Sequence, residues 1–174
     1  MNIEEAIKTA IELETKVRDL YKDAEEQATD PVGKRVFNLL VKEEQHHLDY
    51  LMSKLNEWQE SGNVTVGVLK TTIPSKNTIE TEVVKLKFDL DPTKVDKRYT
   101  DIELQMLRKA LKVEQETSDF YKKMVLELPE KGQELFIRFV EIEEGHKTIV
   151  QAQIDSVTGL GYWFDMPEFN LASI

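Results

Sequence analysis

The chain has 174 residues, 33 of them acidic and 23 basic, for a formal charge of −10, and it contains no cysteine. That length supplies one domain's core without staples. The charge disfavours nucleic acid and anionic membranes as partners, and the absence of cysteine excludes disulfides, thiol nucleophiles, iron–sulfur clusters and every Cys-ligated metal.

A first helix is predicted from about Ile3 to Ala28, because Ile3, Ala6, Ile7, Ala10, Leu13, Val17, Leu20 and Tyr21 recur in steps of three and four. The opening MNIEEAIK is acidic with no apolar centre, so no signal peptide is expected and the cytoplasm is the expected compartment. Asp30-Pro31 is a suitable N-cap and first-turn pair for a second helix. That helix carries Phe37, Leu40, Val41, Leu48, Leu51 and Leu55 on one face and stops near Ser61-Gly62. Residues 62–99 then form a long connector, in which Val64, Val66 and Val68 alternate and Pro74 and Pro92 interrupt; it reads as mostly extended, with short strands. A third helix begins at Thr100 or Asp101, with Glu103 as the partner in a capping box, and presents Leu104, Leu107, Leu111, Phe120 and Met124. Pro129 separates it from a fourth helix, from about Glu130 to Val157, with Gly159 as its C-cap. The tail at 159–174 is aromatic, densest from Gly161 to Phe169, and is expected to cover a bundle end or pack on a partner chain. No apolar run reaches the ~20 residues that span a bilayer.

Two short joints make two antiparallel helical hairpins, and one long crossover joins helix two to helix three. The expected fold is therefore all-α, a four-helix bundle with one long crossover, as a single domain over 1–174. The halves repeat. At an offset of 100, Ala10, Glu14, Asp19, Tyr21 and Lys22 match Ala110, Glu114, Asp119, Tyr121 and Lys122. At an offset of 99, Phe37, Val41, Glu44 and His47 match Phe136, Val140, Glu143 and His146. An internal repeat of one hairpin explains this register.

The chain has three histidines, and each follows a glutamate by three residues: Glu43/His46, Glu44/His47 and Glu143/His146. Residues three apart share a helix face, so carboxylate and imidazole can take one metal ion together. Glu14, Glu44, Glu114 and Glu143 also fall on the apolar stripes, where an unpaired carboxylate is costly. Four such carboxylates balance two divalent cations, and carboxylate with imidazole suits iron or manganese. One Glu from each of two helices plus Glu-x-x-His from each of the other two is the ligand pattern of ferritin-like di-iron bundles. Glu43/His46 pairs with Ile142 and Gly145 in the repeat and is expected on the outer face. Tyr21 and Tyr121 stand two turns beyond Glu14 and Glu114, placed to donate to a ligand carboxylate on the facing helix. Asp19 and Asp119 lie about 140° round from those glutamates, placed either to hold a histidine or to face solvent.

On EQHH at 44–47, EEGH at 143–146 and the two Glu-x6-Tyr helices, the chain resembles the rubrerythrin branch of the ferritin-like superfamily over all four helices. The resemblance implies two irons, with manganese or mixed occupancy as variants, held by Glu14, Glu44, His47, Glu114, Glu143 and His146. It also implies a homodimer or higher homo-oligomer and the reduction of hydrogen peroxide to water. Full-length rubrerythrins add a rubredoxin domain whose four cysteines hold an iron. With no cysteine here, the resemblance implies an external electron donor such as a separate rubredoxin. Rubrerythrins also tend to carry a further glutamate ligand where this chain has Leu111. Bacterioferritin uses two Glu-x-x-His motifs as well. A ferroxidase or oxidase, and a non-catalytic iron-binding or storage protein, are therefore the alternative readings.

Overall fold

Asn2 caps the first helix. Its side-chain oxygen accepts from the Glu5 amide at 2.9 Å while the Glu5 carboxylate accepts from the Asn2 amide at 3.0 Å, satisfying two donors that a helix start otherwise leaves unpaired. The computed structural model describes residues 1–29, 31–79 and 101–158. Four long helices stand among them: α1 (Ile3–Gln27), α2 (Pro31–Ser61), α3 (Asp101–Glu127) and α4 (Glu130–Val157). The predicted caps at Asp30, Thr100 and Gly159, the connector beyond residue 79 and the aromatic tail lie outside the described residues. Pro31 opens α2 as expected, where its missing N–H costs nothing. Gly62 closes α2 at φ +66°, donating its amide to the Trp58 carbonyl at 2.7 Å; this left-handed turn favours glycine. None of the described helices is long and apolar enough to cross a membrane.

α1 packs on α2, α3 on α4, and α1 on α3. Asn38 reaches Glu25 and Arg18 reaches Gln45, so α1 and α2 are antiparallel. Ser118 reaches Glu144 and Lys147 reaches Gln115, which sets α3 and α4 the same way. Tyr21 meets Glu114 and Tyr121 meets Glu14, so α1 and α3 are antiparallel too. α2 and α3 therefore run parallel, and the chain between them has to travel the length of the bundle, about 46 Å for the 31 residues of α2.

The described part of the connector, 62–79, runs back along α2. The Thr65 amide donates to Glu57 at 2.7 Å, Tyr50 donates to the Gly67 carbonyl at 3.3 Å, and Thr72 bonds Glu43, each partner lying earlier in α2 than the last. The expected strands are absent among the described residues; instead 63–71 is irregular and 76–79 is a helical turn. A helix has spent its backbone donors and acceptors internally and offers a strand no ladder. The alternating valines have another meaning: Val64 and Leu69 are buried, whereas Val68 is 83% exposed.

The core falls into two apolar clusters. One joins Val17, Tyr21, Phe37, Leu40, Leu107 and Ile149 at one end of the bundle. The other joins Ile7, Leu51, Tyr121, Met124, Phe136 and Phe139 at the opposite end. Between them, at mid-height on all four helices, lies a layer of charged side chains.

Candidate metal centre

Each helix carries one glutamate into this layer. Glu14, Glu44, Glu114, Glu143, His47 and His146 are all 1% exposed or less. The helical stripe puts them there, since each occupies an inward position that would otherwise continue the apolar core. The two hairpins then bring the positions to one level.

Glu44 lies at the centre. Its Oε2 is 2.9 Å from His47 Nδ1 and its Oε1 is 2.8 Å from His146 Nδ1. His47 Nδ1 also lies 3.4 Å from Glu14 Oε2 and 3.7 Å from Glu143 Oε1, and His146 Nδ1 lies 3.8 Å from Glu114 Oε1. The two imidazoles stack, with centroids 5.2 Å apart and planes 7° from parallel. Phe139 abuts His47 edge-on at 5.5 Å and Tyr121 at 4.7 Å, closing the layer on the side of the second cluster.

Two bonds cross between the hairpins. Tyr21 Oη donates to Glu114 Oε1, and Tyr121 Oη donates to Glu14 Oε1. They are counterparts under the 100-residue repeat, so the duplicated sequence has folded into a duplicated site. Both tyrosines thus bond a carboxylate on the facing helix.

These donors attract one another more than they bond one another. Both oxygens of Glu44 and of Glu143, Oε2 of Glu114, Nε2 of His47 and both ring nitrogens of His146 are buried without a hydrogen-bond partner. Glu44 and the histidines stand within ion-pair distance but are not aligned as hydrogen bonds. Orphaned polar atoms at this density are expensive in a dry interior. Glu44, His47, Glu143 and His146 each offer one ligand atom within 4.8 Å of the others, and together they can hold a metal ion. The converging carboxylate and imidazole donors suit a divalent metal ion.

The electrostatics agree. Burial, and then the charge of Glu44, push the Glu14 carboxyl up to about 8. Burial and the other three carboxylates push Glu143 well above the ordinary range, and burial with Glu44 raises Glu114. Burial also works to raise Glu44, but the two histidines outweigh it and hold its carboxyl well below the ordinary value. Burial opposes the charge on His47 and His146, yet Glu44, with Glu14 at His47 and Glu114 at His146, raises both. Burial and the facing carboxylates raise the phenols of Tyr21 and Tyr121 well above normal, so both remain donors.

The neighbouring residues resolve differently from one another. His46 is exposed, as expected, but Glu43 is 1% exposed and does not lie on the outer face. It accepts from Thr71 Oγ1 at 2.6 Å, Thr72 Oγ1 at 2.6 Å and the Thr72 amide at 3.0 Å. The signal was present in the sequence: Val36, Leu40, Glu43 and His47 share one inward stripe, and its repeat partner Ile142 is itself buried. Asp19 and Asp119 are exposed, bonded to Arg18 and Gln115 and remote from the histidines, so the solvent alternative holds for both. Leu111 is half-buried against the first apolar cluster. No protein family, curated protein or solved structure matches the chain.

Proposed function

We propose that the protein is a rubrerythrin-like di-iron oxidoreductase that reduces hydrogen peroxide with electrons from a separate carrier such as rubredoxin. The observation that carries this reading is the layer of orphaned carboxylate and imidazole donors held at mid-bundle by two repeated hairpins. Glu14, Glu44, Glu114, Glu143, His47 and His146 would hold two metal ions, four negative charges against four positive. Bound as two ferrous ions, the metal would supply the two electrons that, with two protons, convert one hydrogen peroxide to two waters.

The chain's own residues do the rest. Tyr21 and Tyr121 each fix one oxygen of Glu114 and of Glu14, and the other oxygen of Glu14 lies 3.4 Å from His47 Nδ1. Each phenol holds its proton at Oη beside a carboxylate. The two apolar clusters exclude water from above and below. These 174 residues contain no cysteine to hold an iron–sulfur or rubredoxin-type relay, which supports a separate carrier as the reductant.

The test is stopped-flow oxidation of the anaerobically reduced, iron-loaded protein with peroxide and with dioxygen at matched concentration. Faster oxidation by peroxide is expected. Faster oxidation by dioxygen would favour an oxidase or ferroxidase, and accumulation of many irons per chain would favour storage.

A further inference from the structure

Residues 71–74 cross from α2 to α4 beside the charged layer. On the α2 side they are held by Glu43, whose carboxylate takes two hydroxyl bonds and one amide bond from Thr71 and Thr72. On the α4 side the segment rests on Gly145. A Cβ there would stand 3.0 Å from the Pro74 carbonyl oxygen and 3.6 Å from Ile73 Cγ2, so the approach depends on glycine. Ile73 is buried in the first apolar cluster.

Both anchors adjoin ligand candidates. Glu43 precedes Glu44 and lies one turn before His47; Gly145 precedes His146 and follows Glu143 by two. The repeat breaks at these positions, where Glu43 faces Ile142 and His46 faces Gly145. A carboxylate latch on one helix and a bare landing site on the other is what a single strap requires and what a symmetric pair of hairpins would not produce.

We infer that Glu43 is a positioning residue for the metal centre: through Thr71 and Thr72 it fixes the 71–74 strap against Gly145, and so sets the spacing of the two Glu-x-x-His pairs. This rests on the metal-centre reading above. α2 and α4 belong to different hairpins, and a strap touching both helices holds their donors at ligand spacing before metal arrives.

The experiment reads hydrogen exchange of residues 69–79 in the metal-free protein, and cobalt(II) affinity and visible spectrum in the same variants. T71V/T72V keeps side-chain shape but removes both hydroxyl donors, T71S/T72S keeps the donors, and G145A reaches the strap from α4 with a substitution that favours the helix itself. T71V/T72V and G145A are each expected to speed exchange in the strap, weaken cobalt binding about 10–100-fold and alter its spectrum. T71S/T72S is expected to match the wild type. Faster strap exchange with unchanged cobalt affinity and spectrum would overturn the positioning role, and so would unchanged exchange in T71V/T72V. Failure of the wild type to bind cobalt would instead overturn the metal centre, and this inference with it.

Discussion

Glu44 reaches across the seam between α2 and α4 to His146, with Oε1 2.8 Å from Nδ1, as close as its other oxygen comes to His47 one turn along its own helix. One carboxylate thus faces the imidazoles of both hairpins. The stacked rings make the arrangement nearly symmetric about Glu44. A carboxylate shared in this way ties together ligand pairs separated by about a hundred residues of sequence.

The two adjacent histidines should therefore behave differently. His47→Ala removes a ring that faces Glu14, Glu44 and Glu143, whereas His46→Ala removes an exposed one. The visible spectrum of the cobalt-substituted protein should change strongly for His47→Ala and His146→Ala and hardly at all for His46→Ala. Equal effects of the two neighbouring substitutions would mean that the wrong ring has been placed at the centre.

Without metal, stability should fall as pH rises. The carboxyls of Glu14, Glu114 and Glu143 have folded-state pKa values above their unfolded ones, with Glu14 at about 8. The folded state then binds more protons than the unfolded chain, so the contribution of Glu14 is present in full below about 4.5 and is lost as pH rises through about 8, and those of Glu114 and Glu143 are lost as pH rises through their own raised values. The raised values of His47 and His146 act in the same direction at higher pH. Glu44, with its lowered value, costs stability only as pH falls below the ordinary carboxylate range. The metal-free melting temperature should drop by on the order of 10 °C between pH 5 and pH 8, while the metal-loaded protein should change much less. Parallel pH profiles for the two forms would contradict the clustering of the glutamates.

Removing either phenol should weaken the metal-free fold by a similar amount. Tyr21→Phe strips Glu114 of its donor and Tyr121→Phe strips Glu14, in each case leaving a buried carboxylate oxygen unpaired. A loss of about 1–3 kcal/mol is expected from each in urea denaturation. A large loss from one and none from the other would show that the two crossing bonds are not equivalent.

Much of this was legible in the sequence, because the helical stripe and the repeat are both local patterns. Spacing alone placed Glu14, Glu44, Glu114 and Glu143 inward, and the offset between halves distinguished His47 from His46. What the pattern missed belongs to the connector. The valines at 64, 66 and 68 alternate as a strand's would, but α2 offers no backbone to pair with, so they became an irregular segment with Val64 buried and Val68 exposed. Glu43 lies on the inward stripe with Val36, Leu40 and His47, but its partners Thr71 and Thr72 come from that segment, and no period in α2 announces them.

The most direct measurement is metal content per chain, by elemental analysis of wild-type protein and of Glu44→Ala/Glu143→Ala. Two tightly held metal ions in the wild type and none in the variant would match a centre built from the six buried donors. Two ions retained in the variant, or none in the wild type, would contradict it.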